Sequence, residues 1–147
     1  MGGRPAADAG SEVTVLVDTS AWVELFRATG SRVHQEMARR NSAEESFAIC
    51  GPVEMEVLAG ALTDSDLRNI RAAFSNGMTI GVQPHHFDQA AGLYRMCRAA
   101  GFTVRSMIDC LIATIAMDED VEVLHHDRDF GAIAQVIPLR IHPASIN

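Results

Sequence analysis

Two rhythms alternate along this chain: short unbroken apolar runs rich in β-branched residues, and longer stretches whose apolar positions return every three or four residues. The first suits buried strands, the second helices with one face on a core. VTVLV (13–17) predicts a strand ending at Asp18, and Thr19 or Ser20 can cap the helix that carries Trp22, Val23, Leu25 and Phe26. A second helix is expected over 31–40. SFAIC (46–50) then reads as a buried strand, and Pro52 opens the helix MEVLAG as a first-turn proline. The stretch 64–74 is amphipathic, with Leu67, Ile70, Ala73 and Phe74 on one side and arginines on the other. MTIGV (78–82) predicts a third strand, and 86–100 and 106–117 predict helices. VEVLHH (121–126) follows as a strand, DRDFGAIA (127–134) as a short helix and VIPLRIH (136–142) as the last strand. Strand and helix alternating in this way predict an α/β fold around a parallel sheet of about five short strands. Ligands of such sheets sit beyond the carboxyl ends of the strands. MGGRPAADAGSE (1–12) lacks periodicity and predicts a flexible leader, leaving 13–147 as one domain.

Four acidic residues interrupt the apolar pattern where a charge is costly: Asp18 after VTVLV, Glu56 in MEVLAG, Asp109 inside SMIDCLIATIAM and Asp127 in LHHDRDF. A buried carboxylate destabilises unless it is paired or bound to a cation, so several of them in apolar settings suggest one shared counter-charge. Asp18 and Asp127 would project from the same edge of the sheet, with Asp109 and Glu56 reaching it from flanking helices. Hard divalent cations fit such an oxygen set, and one or two Mg2+ or Mn2+ ions are expected. The chemistry they suggest is hydrolysis of a nucleic-acid phosphodiester by activated water in an in-line displacement.

Composition narrows the field. All twelve basic residues are arginine, and with no lysine the chain has neither a Schiff-base nucleophile nor a P-loop. The lysine that normally accompanies phosphorylated-aspartate chemistry is missing too, which counts against a phosphatase of small phosphoesters. The net charge of −7 argues against binding nucleic acid by bulk electrostatics. Two divalent ions among the acids would bring the formal balance to about −3 and draw phosphate to the site. Cys50, Cys97 and Cys110 lie in apolar company without CxxC spacing and read as reduced core residues. No apolar run reaches the eighteen residues of a membrane span, and no basic-then-apolar signal opens the chain, so a cytoplasmic protein is expected.

VLVDTSAWVELF, GPVEMEVLAG, RSMIDCLIATIAM and VLHHDRDF, taken together and in this order over 13–142, resemble the successive motifs of PIN-domain ribonucleases, specifically the VapC toxins of bacterial toxin–antitoxin pairs. The resemblance implies a three-layer α/β/α, RNase H-like fold. It also implies a Mg2+- or Mn2+-dependent endoribonuclease acting on structured RNA such as tRNA or rRNA, a cognate VapB-type antitoxin that blocks the site, and a toxin homodimer. Carried over by position, Asp18, Glu56, Asp109 and Asp127 become the metal-binding acids, Asp129 a possible fifth, and Ser20 a hydroxyl close to the metal or its water. The alternative is a catalytically silent PIN-like module that binds RNA or protein.

Other assignments stay open on the sequence. Helical-wheel geometry centres the apolar arc of Val53, Val57, Leu58 and Ala61 nearer Glu54, whereas the family pattern selects Glu56. Asp129 is either a ligand or the cap of the short helix, orienting Arg128. Asp109 has a bland reading as the i+4 ion-pair partner of Arg105. Arg95, Arg98 and Arg105 are candidates for a basic rim facing RNA. The adjacent pairs His85-His86 and His125-His126 are expected to point apart and to share no metal. Trp22, Phe26 and the methionines are expected in the core or at a dimer surface.

Overall fold

The computed structural model describes residues 14–146, so the expected leader lies outside the described residues. Strands β1 (Val15–Val17), β2 (Ala48–Cys50), β3 (Met78–Ile80) and β4 (Glu122–Leu124) pair in parallel, in the order β3-β2-β1-β4. Every residue of β1 and β2 is buried, as a parallel sheet covered on both faces requires. Among the described residues seven helices surround it: α1 (Thr19–Phe26), α2 (Arg32–Ser42), α3 (Gly51–Ala59), α4 (Asp64–Phe74), α5 (Pro84–Ala99), α6 (Met107–Glu119) and α7 (Arg128–Ala134). Their closest packing falls into two sets, α1 with α2 and α3 and α3 with α4, and separately α5 with α6 and α6 with α7.

Strands are shorter than the apolar runs that predicted them: β2 begins only at Ala48, β3 ends at Ile80, and β4 spans Glu122–Leu124. The last predicted strand shrinks furthest. VIPLRIH contributes one parallel bridge, Val123 to Ile141, through hydrogen bonds from Val123 N–H to Arg140 O and from His142 N–H to Val123 O, both 2.9 Å. The next rung towards its start would need Val121 N–H, which instead donates to Ala116 O at the end of α6 at 3.0 Å. Among the described residues the sheet proper therefore has four strands rather than about five.

Helix α6 explains the placement of Asp109. Its residues from Asp109 to Ala116 are buried in unbroken succession, so it is enclosed on all sides and any polar group in its first turns is enclosed with it. On the opposite flank, Trp22 packs against Phe47 and Phe74 with ring centroids 5.3 and 5.0 Å away. Phe26 stacks on it and stays 42% exposed. Gly77 makes room for this group: a Cβ there would lie 2.3 Å from the Phe47 ring. Gly77→Ala is therefore expected to push Phe47 against Trp22 and to destabilise by about 1–3 kcal/mol. Thermal denaturation reads this directly, and an unchanged melting temperature would show that the ring yields freely.

Candidate metal centre

The acidic centre sits where the sheet changes direction. Strand β1 lies between β2 and β4; the chain leaving β1 steps to β2 on one side, whereas the chain leaving β4 returns as the Ile141 bridge on its other side, which opens a crevice at the carboxyl ends of β1 and β4. Asp18 follows β1, and Asp127 follows β4 after the His125-His126 pair. The ladder holds the two ends level, since Asp18 N–H still donates to Leu124 O at 3.0 Å.

Both strand-end acids also cap helices. Asp18 is the N-cap of α1 and accepts from Ser20 N–H and from the Ser20 hydroxyl. The expected caps Thr19 and Ser20 are instead the helix's first residues. Asp127 caps α7 by accepting from Asp129 N–H at 3.0 Å, so the capping role considered for Asp129 belongs to Asp127. Ser20 links the two strand ends: its hydroxyl donates to Asp18 and accepts from His126 N–H at 2.8 Å.

Asp109 enters from the first turn of α6. One carboxylate oxygen from each of Asp109, Asp127 and Asp129 lies within 4.8 Å of the others. Burial, then the charges of Asp18 and Asp127, push the Asp109 carboxyl up to about 9, and Asp18 is raised to about 6, again chiefly by burial. Asp109 Oδ2 is buried and meets no hydrogen-bond donor among the described residues. An unpartnered carboxylate oxygen among like charges is a position that a divalent cation satisfies, and the all-oxygen donor set fits Mg2+ or Mn2+.

Arg105 makes no ion pair with Asp109, contrary to the i+4 expectation. Its Nη2 donates to Asp127 Oδ1 at 3.2 Å, its Nε to Asp129 Oδ1 at 3.3 Å, and its backbone N–H to Asp129 Oδ2 at 2.9 Å. Arg95 and Arg98 are exposed on α5, with Arg98 over the Tyr94 ring at 5.9 Å. Glu56 is half-buried and receives the Thr19 hydroxyl at 2.9 Å, which ties α3 to the residue next to Asp18. Glu54 occupies the first turn of α3, and its charge and that of Asp18 both reach the buried Cys50 thiol. The sequence offered Thr19 only as a helix cap; its adjacency to a strand-end Asp was the available signal for this second role.

The histidine pairs behave differently from each other. His125 packs into the core on Phe130, while His126 turns to Glu24 with Nε2 to Oε1 at 2.8 Å. His85 and His86 do not point apart: both present Nε2 to Asp118 Oδ2, at 3.3 and 2.8 Å. His86 Nδ1 accepts the Gln83 N–H, so its Nε2 carries the proton and donates to Asp118. The trio is thereby satisfied as a staple between α5 and α6.

The PIN-domain family model matches residues 15–136. Ribonuclease VapC11 of Mycobacterium tuberculosis is 43% identical over 128 residues, 86% of this chain and 96% of the relative. The chain belongs to the PIN-domain VapC ribonucleases. Among solved structures, DNA-bound VapBC from Salmonella typhimurium superposes on this PIN domain with a TM-score of 0.69 at 14% identity, covering 89% of this chain and 98% of that one. VapC20 of M. tuberculosis, a toxin that cleaves the sarcin-ricin loop, gives 0.61 at 20% identity, covering 86% and 99%. The three-layer PIN architecture is thus shared across sequences that have otherwise diverged widely. Beside the acidic centre, the domain carries an apolar cleft of about 490 Å³ between α1, α3 and α4, lined by Val23, Phe26, Glu56, Val57, Leu62 and Ile70 among others. No helix among the described residues is long and apolar enough to cross a membrane.

Proposed function

We propose that the protein is the toxin of a toxin–antitoxin pair, an endoribonuclease that hydrolyses cellular RNA, tRNA or rRNA, with Mg2+ or Mn2+. The observation that carries this reading is the meeting of Asp109, Asp127 and Asp129, with the charge of Asp18 also reaching Asp109, around a buried carboxylate oxygen that lacks a partner among the described residues. The ribonuclease relatives place the same reaction class on the same fold. Asp18, Asp109 and Asp127 would hold the cation, with Glu56 at the rim. When bound, the cation supplies an activated water and offsets the charge that develops on the phosphodiester. The chain's own part is orientation. Ser20 fixes Asp18 and the β4 turn, Thr19 fixes Glu56, and Arg105 fixes Asp129.

The apolar cleft reaches the acidic centre at Glu56, and Leu62, Phe26 and Met55 stand exposed on the elements that form it. That continuity supports an antitoxin whose apolar segment fills the cleft and obstructs the site. A homodimer acting in the cytoplasm, with 13–147 as its single domain, completes the reading.

The test is incubation of total RNA with partner-free protein, in Mn2+ or Mg2+ against EDTA, with Asp109→Asn beside the wild type. Discrete fragments that need both the metal and Asp109 are expected. Cleavage that survives EDTA would overturn metal dependence, and intact RNA in every lane would favour a binding module.

A further inference from the structure

The Arg105 side chain is 69% exposed, yet it reaches inward to two carboxylates of the acidic centre, one of them the buried Asp129. Both oxygens of Asp129 are taken, Oδ2 by the Arg105 backbone and Oδ1 by its Nε. Asp127 Oδ1 receives the Asp129 N–H and Arg105 Nη2. Asp109 receives nothing from Arg105, and its Oδ2 keeps no donor among the described residues. The centre is therefore divided. Its Asp127–Asp129 side already carries a positive charge, and its Asp18–Asp109–Asp127 side does not.

Sites that hold two metal ions place them about 3.5–4 Å apart with a carboxylate shared between them. Asp127 is the acid positioned to be shared, and the Arg105 guanidinium bridges it to Asp129. We infer that Arg105 is a built-in counter-cation that fills the second cation position, so that the RNA-free protein binds one divalent ion, between Asp18, Asp109 and Asp127. The inference rests on the metal-site reading above. Arginine suits the part because its charge does not titrate away and its planar fork spans two carboxylates at once. In a chain without lysine, no neighbouring ammonium can stand in for it.

Titration of the full-length chain with Mn2+, followed by the electron paramagnetic resonance of the free ion, tests this in wild type, Arg105→Gln and Arg105→Gln/Asp129→Asn. One ion per chain is expected for the wild type, two for the single variant, and one again for the double variant, because the second ion would need Asp129. Thermal melts provide a second readout: excess Mn2+ should raise the melting temperature of Arg105→Gln more than that of the wild type. The exposed side chain makes the substitution tolerable to the core. Two ions in the wild type, or equal counts and equal Mn2+-induced shifts in wild type and Arg105→Gln, overturn the role of Arg105. Failure of all three proteins to bind Mn2+ overturns the metal-site reading itself.

Discussion

Asp109→Asn is expected to abolish RNA cleavage, by on the order of a thousandfold or more, while making the metal-free protein harder to melt. The two effects share one cause. Asp109 sits in the first turn of an enclosed helix, beside Asp18 and Asp127, with an oxygen that no protein donor reaches. Without metal, the folded chain must keep that carboxyl protonated against an ordinary carboxylate value of 3.8, or bear an uncompensated buried charge. Asparagine removes the choice at nearly the same volume. Allowing for water penetration, the relief is about 2 kcal/mol, or roughly 6 °C for a domain of this size. The same substitution should remove most of the stabilisation that Mn2+ gives the wild type. Scanning calorimetry in EDTA and in Mn2+ measures both. A melting temperature that falls in EDTA would mean that Asp109 is a structural group, and its place in the metal set would be lost.

The metal-free protein is expected to lose stability between about pH 6.5 and 9, and to hold it when Mg2+ or Mn2+ is present. In the unfolded chain Asp109 ionises near 3.8, whereas in the folded chain it keeps its proton to about 9. A group with its folded value raised contributes stability that is complete below 3.8 and lost as the pH climbs towards the folded value. Asp18, raised to about 6, behaves alike but finishes lower. His125 acts in the other direction. Burial holds it near 4 against 6.5 when unfolded, so it adds stability as pH rises through that lower range and masks Asp18 there. Above about 6.5 only Asp109 remains of these three. A fall on the order of 2 kcal/mol, about 6 °C, is expected across the window in EDTA. It should be absent in Asp109→Asn. Melts of wild type and variant in buffers of matched ionic strength decide the matter; parallel, flat profiles would show that Asp109 ionises freely in the folded protein.

Local pattern alone determined a good deal here. The α/β alternation, the order of the elements and the acids after VTVLV and VEVLHH follow from where apolar runs begin and stop, and that is a property of neighbours along the chain. The burial of Asp109 was legible for the same reason: a helix apolar on all sides has no exposed face on which to leave a charge. The four motifs in order also carried the family. Destinations of side chains were a different matter. Arg105 lies one helical turn before Asp109 yet turns to Asp127 and Asp129, more than twenty positions away, because the β4–α7 turn brings two carboxylates to it. Glu56 is drawn towards Asp18 by a hydroxyl thirty-seven positions distant. His85 and His86 converge because the end of α6 places Asp118 between them, which spacing along α5 cannot reveal. VIPLRIH has the composition of a strand, but Val121 N–H is taken by the end of α6, and a single available partner on β4 leaves it one bridge. Periodicity reports whether a residue faces inward; which group it meets there depends on contacts between distant segments, and only the tertiary structure decides those.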